Sequence, residues 1–217
     1  VTRVKICGVT SVDEARLVER CGADAVGVLV GQRHPASDFV SAALARRVCQ
    51  ALPPFIASVV VTHLTALDEL LELARAIPCR VLQIHGDIDV DLVRRLRERL
   101  PDRRIIGKVS VDGPRAIARA ATLGAAVDAI VLDSADRVSG RVGGTGLTHD
   151  WSISARIART AAAPVILAGG LTPDNVGAAI TRVRPWAVDV NSGVETPDGR
   201  KSESLVRSFV AAARKAG

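Results

Sequence analysis

With 217 residues, 48% of them apolar, the chain can enclose one sizeable core, in the size range where an α/β barrel closes as a single domain. Two Trp, three Phe and no Tyr leave that core to Val, Ile, Leu and Ala, the filling expected of buried parallel strands. A net charge of +6 and a pI near 9.8 raise nucleic acid as a partner, but the arginines are scattered over helical patterns without aromatics to stack bases, so attraction for an anionic ligand accounts better for the excess.

In chain order, short β-branched runs alternate with amphipathic stretches. Strands are expected at 3–9 (RVKICGV), 25–30 (AVGVLV), 55–61 (FIASVVV) and 80–84 (RVLQI). Further strands are expected at 104–110 (RIIGKVS), 128–133 (DAIVLD), 163–168 (APVILA) and 186–191 (WAVDVN). A helix-period segment follows each. Two of these open with capping signals: Ser11 three residues before Glu14, and Thr172 before Pro173. Eight strand–helix pairs with nothing left over imply eight right-handed crossovers. A sheet of that kind closed on itself is a (β/α)₈ TIM barrel, here one domain over 1–217. An open doubly wound sheet is the rival, but no dinucleotide fingerprint follows the first strand. The one long connection, Ser134–Asp150, is Gly-rich and is expected to be a substrate lid.

No apolar run approaches the roughly 18–20 residues of a membrane span, and no basic-then-apolar leader opens the chain; a cytoplasmic protein is expected. Cys7, Cys21, Cys49 and Cys79 show no CxxC pairing and no metal-ligand spacing with the histidines, so neither a disulfide framework nor a metal centre is expected.

In such a barrel the reactive groups sit at the C-terminal ends of the strands. "AGGL" after the seventh strand and "NSGVE" after the eighth, with the lid glycines, form a candidate anion cradle: Gly144, Thr145, Gly146, Gly169, Gly170, Asn191, Ser192 and Gly193. Glycines there let backbone N–H groups approach a phosphate; the plainer alternative is that they turn tight loops. Strand alternation puts Lys5 and Cys7 on one face. A Cys7 thiolate would be a competent base if the lysine or a helix end lowered its pKa; otherwise it is packing. Asp133 ends an apolar strand, where partial desolvation can keep a carboxyl protonated near neutral pH; otherwise it caps or pairs with the lid. His85, at the end of the fourth strand, either donates to a substrate or bonds the neighbouring loop, and Lys5, Arg33 and, in the eighth strand, Asp189 are further candidates to hold the substrate. His34, His63 and His149 have weaker cases.

"KICGVT", "LQIHGD", "VLDS…GGTG…DW", "ILAGGLTPDNV" and "VDVNSGVE" occur in the order and spacing of the phosphoribosylanthranilate isomerases of tryptophan biosynthesis, and the chain resembles that family over nearly its whole length. The resemblance implies an Amadori rearrangement without a cofactor. The aspartate matching Asp133 would protonate the furanose ring oxygen, and the cysteine matching Cys7 would take the C2′ proton. One position departs from the pattern. Where the family carries an arginine suited to the anthranilate carboxylate, this chain has Asp38, in "PASDFVS". Repulsion between carboxylates is expected there, unless Arg33 swings in or the substrate lacks that carboxylate; alternatively Asp38 is only an N-cap. On this reading Asp38→Arg would raise activity on the anthranilate substrate.

Three functions therefore stand: the anthranilate isomerase itself, a diverted isomerase acting on another aglycone, and a non-catalytic barrel that binds a sugar phosphate or a protein. A phosphorylated sugar is the expected small-molecule partner, with neither nucleic acid nor membrane. Arginine-rich helix faces favour a monomer over a homodimer.

Overall fold

The computed structural model describes residues 1–32, 37–134 and 149–217. Along each predicted strand, alternate residues enter two different environments. On β1 (Arg3–Ile6) and β2 (Ala25–Leu29), Val4, Ile6, Val26 and Val28 are buried with residues of the helices, such as Val18 and Phe209. Residues of opposite parity form separate apolar groups: Cys7, Leu29, Val59 and Val61 in one, and Ile106, Ala129, Val131, Ile166, Ala168 and Ala187 in another. A sheet with two buried faces is what unbroken β-branched runs predict. The inner groups are the filled lumen of a barrel.

The remaining strands are β3 (Ala57–Thr62), β4 (Val81–Ile84), β5 (Arg104–Val111), β6 (Ala129–Ser134), β7 (Val165–Leu167) and β8 (Ala187–Val190). All neighbours are parallel, and β8 returns to pair with β1, closing the barrel. Among the described residues the helices alternate with the strands: α1 (Val12–Arg20), α2 (Ala42–Ala51), α3 (Leu67–Ala76), α4 (Val90–Arg99), α5 (Arg115–Gly124), α6 (Trp151–Thr160), α7 (Val176–Val183) and α8 (Glu203–Ala216). The closed (β/α)₈ architecture expected from the alternation is present, and the open-sheet rival is excluded by the β1–β8 pairing. None of the described helices is long and apolar enough to cross a membrane. All four cysteines are free and buried.

Two of the local expectations need adjustment. Ser11 Oγ accepts from the Glu14 N–H as predicted, but the Glu14 carboxylate turns away to Thr10 and to the backbone of Lys201, so the reciprocal half of the capping box is not made. After the seventh strand the helix starts later than Thr172. The Thr172 carbonyl accepts from the N–H groups of Asn175 and Val176, while Asn175 Oδ1 accepts from the Thr172 N–H. Pro173, without an N–H, suits a turn position, and this turn delays α7 to Val176.

Candidate active site

Register decides which polar side chains meet in the lumen. Lys5 on β1 stands opposite Asp189 on β8, and its Nζ donates to Asp189 Oδ2 at 2.6 Å. Both groups are almost fully buried, at 3% and 6% exposure. Burial pushes the Lys5 ammonium down, but the charges of Asp189 and Cys7 and its bonds to both outweigh it and raise its pKa. Asp189 Oδ1 has no hydrogen-bond partner among the described residues. That leaves an acceptor, already fixed by a lysine, for a substrate hydroxyl. Cys7 lies two residues beyond Lys5 on the same face, and a Cβ on Gly27 of β2 would come within 2.8 Å of its Sγ. Glycine there leaves the thiol its space.

From the sequence, Cys7 would be a competent base if lysine lowered its pKa, and Lys5 does act in that direction, but it is outweighed. Burial pushes the thiol up to about 11; Lys5 opposes this, while the Asp189 charge adds to it. The lysine therefore moderates a desolvated thiol without producing a resting thiolate. Replacing Lys5 by methionine should raise the Cys7 pKa further and slow its alkylation by iodoacetamide over an alkaline pH series. Mass spectrometry of the Cys7 peptide would follow this, and a rate unchanged or faster would remove Lys5 from the thiol's electrostatics.

Asp133, inward on β6 beside Val131, is opposite Ser110 on β5. Its Oδ2 lies 3.2 Å from His85 Nε2, and its Oδ1 accepts from the Ser134 N–H at 2.8 Å. Desolvation, which can keep such a carboxyl protonated, is outweighed by the partners of Asp133. Burial does push it up, but the His85 bond and charge, the Ser134 N–H and the Lys108 charge together hold it below its ordinary value. Lys108, on β5, is a functional candidate that the sequence reading missed. It is 6% exposed, with an ammonium pushed down by burial and held up by Asp87 and Asp133. The signal was available: Ile106, Lys108 and Ser110 share one parity in "RIIGKVSV".

The predicted cradle is described in part. Gly169 and Gly170 follow β7 with φ of 84° and 65°, conformations that L side chains rarely adopt. A Cβ on Gly169 would also lie 2.3 Å from Ser134 Oγ and 2.9 Å from Asp133 Oδ1, so this backbone presses directly on the acid. Past β8, Ser192–Val194 form a single 3₁₀ turn, and a Cβ on Gly193 would meet the Leu171 carbonyl oxygen at 1.9 Å. The two glycine loops thus touch. They occupy the sector between β6 and β1, with Asp133 on one flank and Cys7 on the other. Asn191 is engaged elsewhere: its Nδ2 donates to Asp38 Oδ2 at 2.7 Å and its Oδ1 accepts from Lys201 Nζ at 2.7 Å. Arg33, His34, Gly144, Thr145 and Gly146 lie outside the described residues, as does the predicted lid apart from its ends. At those ends, His149 bridges Ser134 Oγ (3.2 Å) and Ser154 Oγ (2.6 Å). Asp38 does not cap α2; Ser41 does, accepting from the Leu44 N–H.

A buried thiol and a buried carboxyl group thus face a barrel lumen on either side of two touching glycine loops, the end of such a barrel where enzymes of this fold carry their active sites. The family model for N-(5'-phosphoribosyl)anthranilate (PRA) isomerase matches residues 4–212, and the chain belongs to that family of aldose–ketose isomerases. It is 42% identical over 208 residues to N-(5'-phosphoribosyl)anthranilate isomerase 2 of Methanosarcina mazei, covering 96% of this chain and 92% of the relative. It is likewise 42% identical over 215 residues to the isomerase of Haloferax volcanii, covering 99% and 94%. The crystal structure of the Thermotoga maritima isomerase superposes with a TM-score of 0.85 at 34% identity, covering 99% of this chain and 100% of that one. An isomerase in complex with reduced 1-(o-carboxyphenylamino)-1-deoxyribulose 5-phosphate superposes with a TM-score of 0.82 at 32% identity, covering 99% and 100%.

Proposed function

We propose that this chain converts N-(5'-phosphoribosyl)anthranilate to 1-(2-carboxyphenylamino)-1-deoxyribulose 5-phosphate, with Asp133 as general acid and Cys7 as general base. The observation that carries this is the placement of the two groups. Each is inward at a C-terminal strand end, each has a lysine acting on it, Lys5 on Cys7 and Lys108 on Asp133, and the paired glycine loops lie between them. The phosphate would sit on the backbone of Gly169, Gly170, Ser192 and Gly193. Asp189 Oδ1 would take a ribose hydroxyl.

Protonation of the ring oxygen by Asp133 lets its bond to C1′ break, as the lone pair of the arylamine nitrogen forms a double bond to C1′ and gives an iminium. The adjacent C2′–H is acidified by that cation, and Cys7 removes it to give an enolamine, which tautomerises to the ketone. Proton transfers of this kind contribute about 10²–10⁴-fold each when the group is well placed. Substrate must also alter the resting protonation. Excluding water beside Asp133 and bringing in a phosphate both favour a neutral carboxyl, and the cationic iminium favours a thiolate.

The Asp38 carboxylate accepts from Asn191, so its charge is engaged within the protein, and the identity of the aglycone falls to assay. Expression of the chain in a tryptophan auxotroph lacking this isomerase should restore growth without tryptophan, and the purified protein should consume the phosphoribosyl anthranilate directly. A folded protein that fails both assays would remove this function and favour the diverted isomerase.

A further inference from the structure

We infer that Asp38, Asn191 and Lys201 form a latch that fastens the β2–α2 loop across the end of β1 and holds the Cys7 end of the site in place. This rests on the function proposed above, and it assigns Asp38 and Lys201 as positioning residues. The parts come from three separate loops. The β2–α2 loop returns to the sheet at Phe39, which bridges Leu29, and this sets Asp38 beside the barrel mouth. From the β8–α8 connection, Lys201 buries its whole side chain (0% exposed). Its Nζ donates to Asn191 Oδ1 at 2.7 Å and to Glu195 Oε1 at 2.5 Å. Asn191 Nδ2 in turn donates to Asp38 Oδ2. The β1–α1 loop joins through Glu14: one carboxylate oxygen accepts from the Lys201 N–H at 3.0 Å, the other from the Thr10 N–H at 2.8 Å.

What these loops enclose is the residue next to the base. Gly8 follows Cys7 with φ of 70°, and a Cβ there would fall 2.1 Å from Asn191 Oδ1. The Asn191 amide therefore rests on the Gly8 backbone, and no other residue fits beneath it. An amide is free to swing unless both ends are held. Lys201 holds the carbonyl end and Asp38 the amino end. The chain Lys201 to Asn191 to Asp38 alternates donor and acceptor throughout, and a buried ammonium bonded to carboxylate and amide oxygens orders what it touches. An arginine at position 38 would offer a second cation to the amino end of the amide, with Lys201 behind it. The charge inversion is thus a requirement of the latch, and the expectation that Asp38→Arg raises activity is reversed.

The test compares wild type, Asp38→Ala, Asn191→Ala and the double variant, using two readouts. In the ligand-free protein, the alkylation rate of Cys7 by iodoacetamide is read on its own peptide. Each single variant should speed it about ten-fold, the lower end for a hydrogen bond to a charged group. The double variant should be no faster than the singles, because one latch can be opened only once. In turnover of the phosphoribosyl anthranilate, Asp38→Ala should lower kcat about ten-fold. Asp38→Asn, which keeps an acceptor, should recover most of that loss, and Asp38→Arg should fall below Asp38→Ala. Asp38 is half-buried in a loop, so its replacements do not threaten the fold even if Asn191→Ala does. Wild-type alkylation in Asp38→Ala, single effects that multiply, or a gain in activity in Asp38→Arg would each overturn the latch. The alkylation arm needs no substrate; a wild type inactive on phosphoribosyl anthranilate would sink the proposed function and leave the latch to be judged by that arm.

Discussion

Cys7→Ala is expected to lower kcat by about 10²–10⁴-fold, the range for loss of a positioned general base, with little change in KM. The methyl group cannot take the C2′ proton, and water has no room to replace it: Cys7 is 7% exposed and packed with Leu29, Val59 and Val61. The proposed phosphate and ribose contacts lie on other residues, so ground-state binding should survive while the transition state loses its base. Cys7→Ser should be almost as impaired, since a hydroxyl in the same desolvated position is a far weaker acid than a thiol. Loss of one sulfur from the lumen should cost about 1 kcal/mol of stability, so a thermal melt near that of wild type accompanies the kinetic loss. Near-full activity in Cys7→Ala with an intact melt would mean that another group removes the proton.

The electrostatics of the two groups sharpen this expectation. Burial pushes the Cys7 thiol up to about 11, with Lys5 opposing it, while the His85 bond and charge, the Ser134 N–H and the Lys108 charge hold the Asp133 carboxyl below its ordinary value. The two lysines stand on strands well apart around the barrel. Under the proposed mechanism, Lys5 favours the thiolate that takes the C2′ proton, and the incoming substrate must overcome the partners that keep Asp133 ionised.

The barrel was legible because eight unbroken β-branched runs alternate with helix-period segments, and the two-residue period of a strand puts Lys5 and Cys7 on one face. Tight glycine loops after β7 and β8 were legible for a similar local reason, since consecutive glycines mark a backbone that must turn or be approached. What failed was whatever depends on partners distant in sequence. "DGRKSES" is a solvated loop by composition, yet Lys201 is fully buried because Asn191 and Glu195 supply its bonds. Asp38 looked like a misplaced charge, since its partner Asn191 is 153 positions away. The pKa directions are legible only in part: burial, which the strands announce, raises the Cys7 thiol, whereas the His85 bond that outweighs burial at Asp133 needs the closed sheet.

Asp133→Asn is expected to reduce kcat by about 10²–10⁴-fold, comparable to loss of the base, because it removes the only proton donor proposed for the ring oxygen. The amide has nearly the same shape and can still accept the Ser134 N–H, so Gly169 and β6 need not move. Binding of the reduced product analogue, which requires no proton from the enzyme, should be preserved, and calorimetry would read it. A second signature lies in stability. The folded-state pKa of Asp133 is depressed by His85, the Ser134 N–H and Lys108, so the carboxylate stabilises the fold above the unfolded aspartate value of about 3.9. That contribution is lost as pH falls through the folded value. The stability difference between wild type and Asp133→Asn should therefore shift against wild type on acidification through that window, as followed by denaturant unfolding. A variant with wild-type kcat would strip Asp133 of its role as acid. A stability difference that ignores pH would instead mean that burial and the partners of this carboxyl group cancel, and one that shifts in favour of wild type on acidification would mean that burial outweighs them.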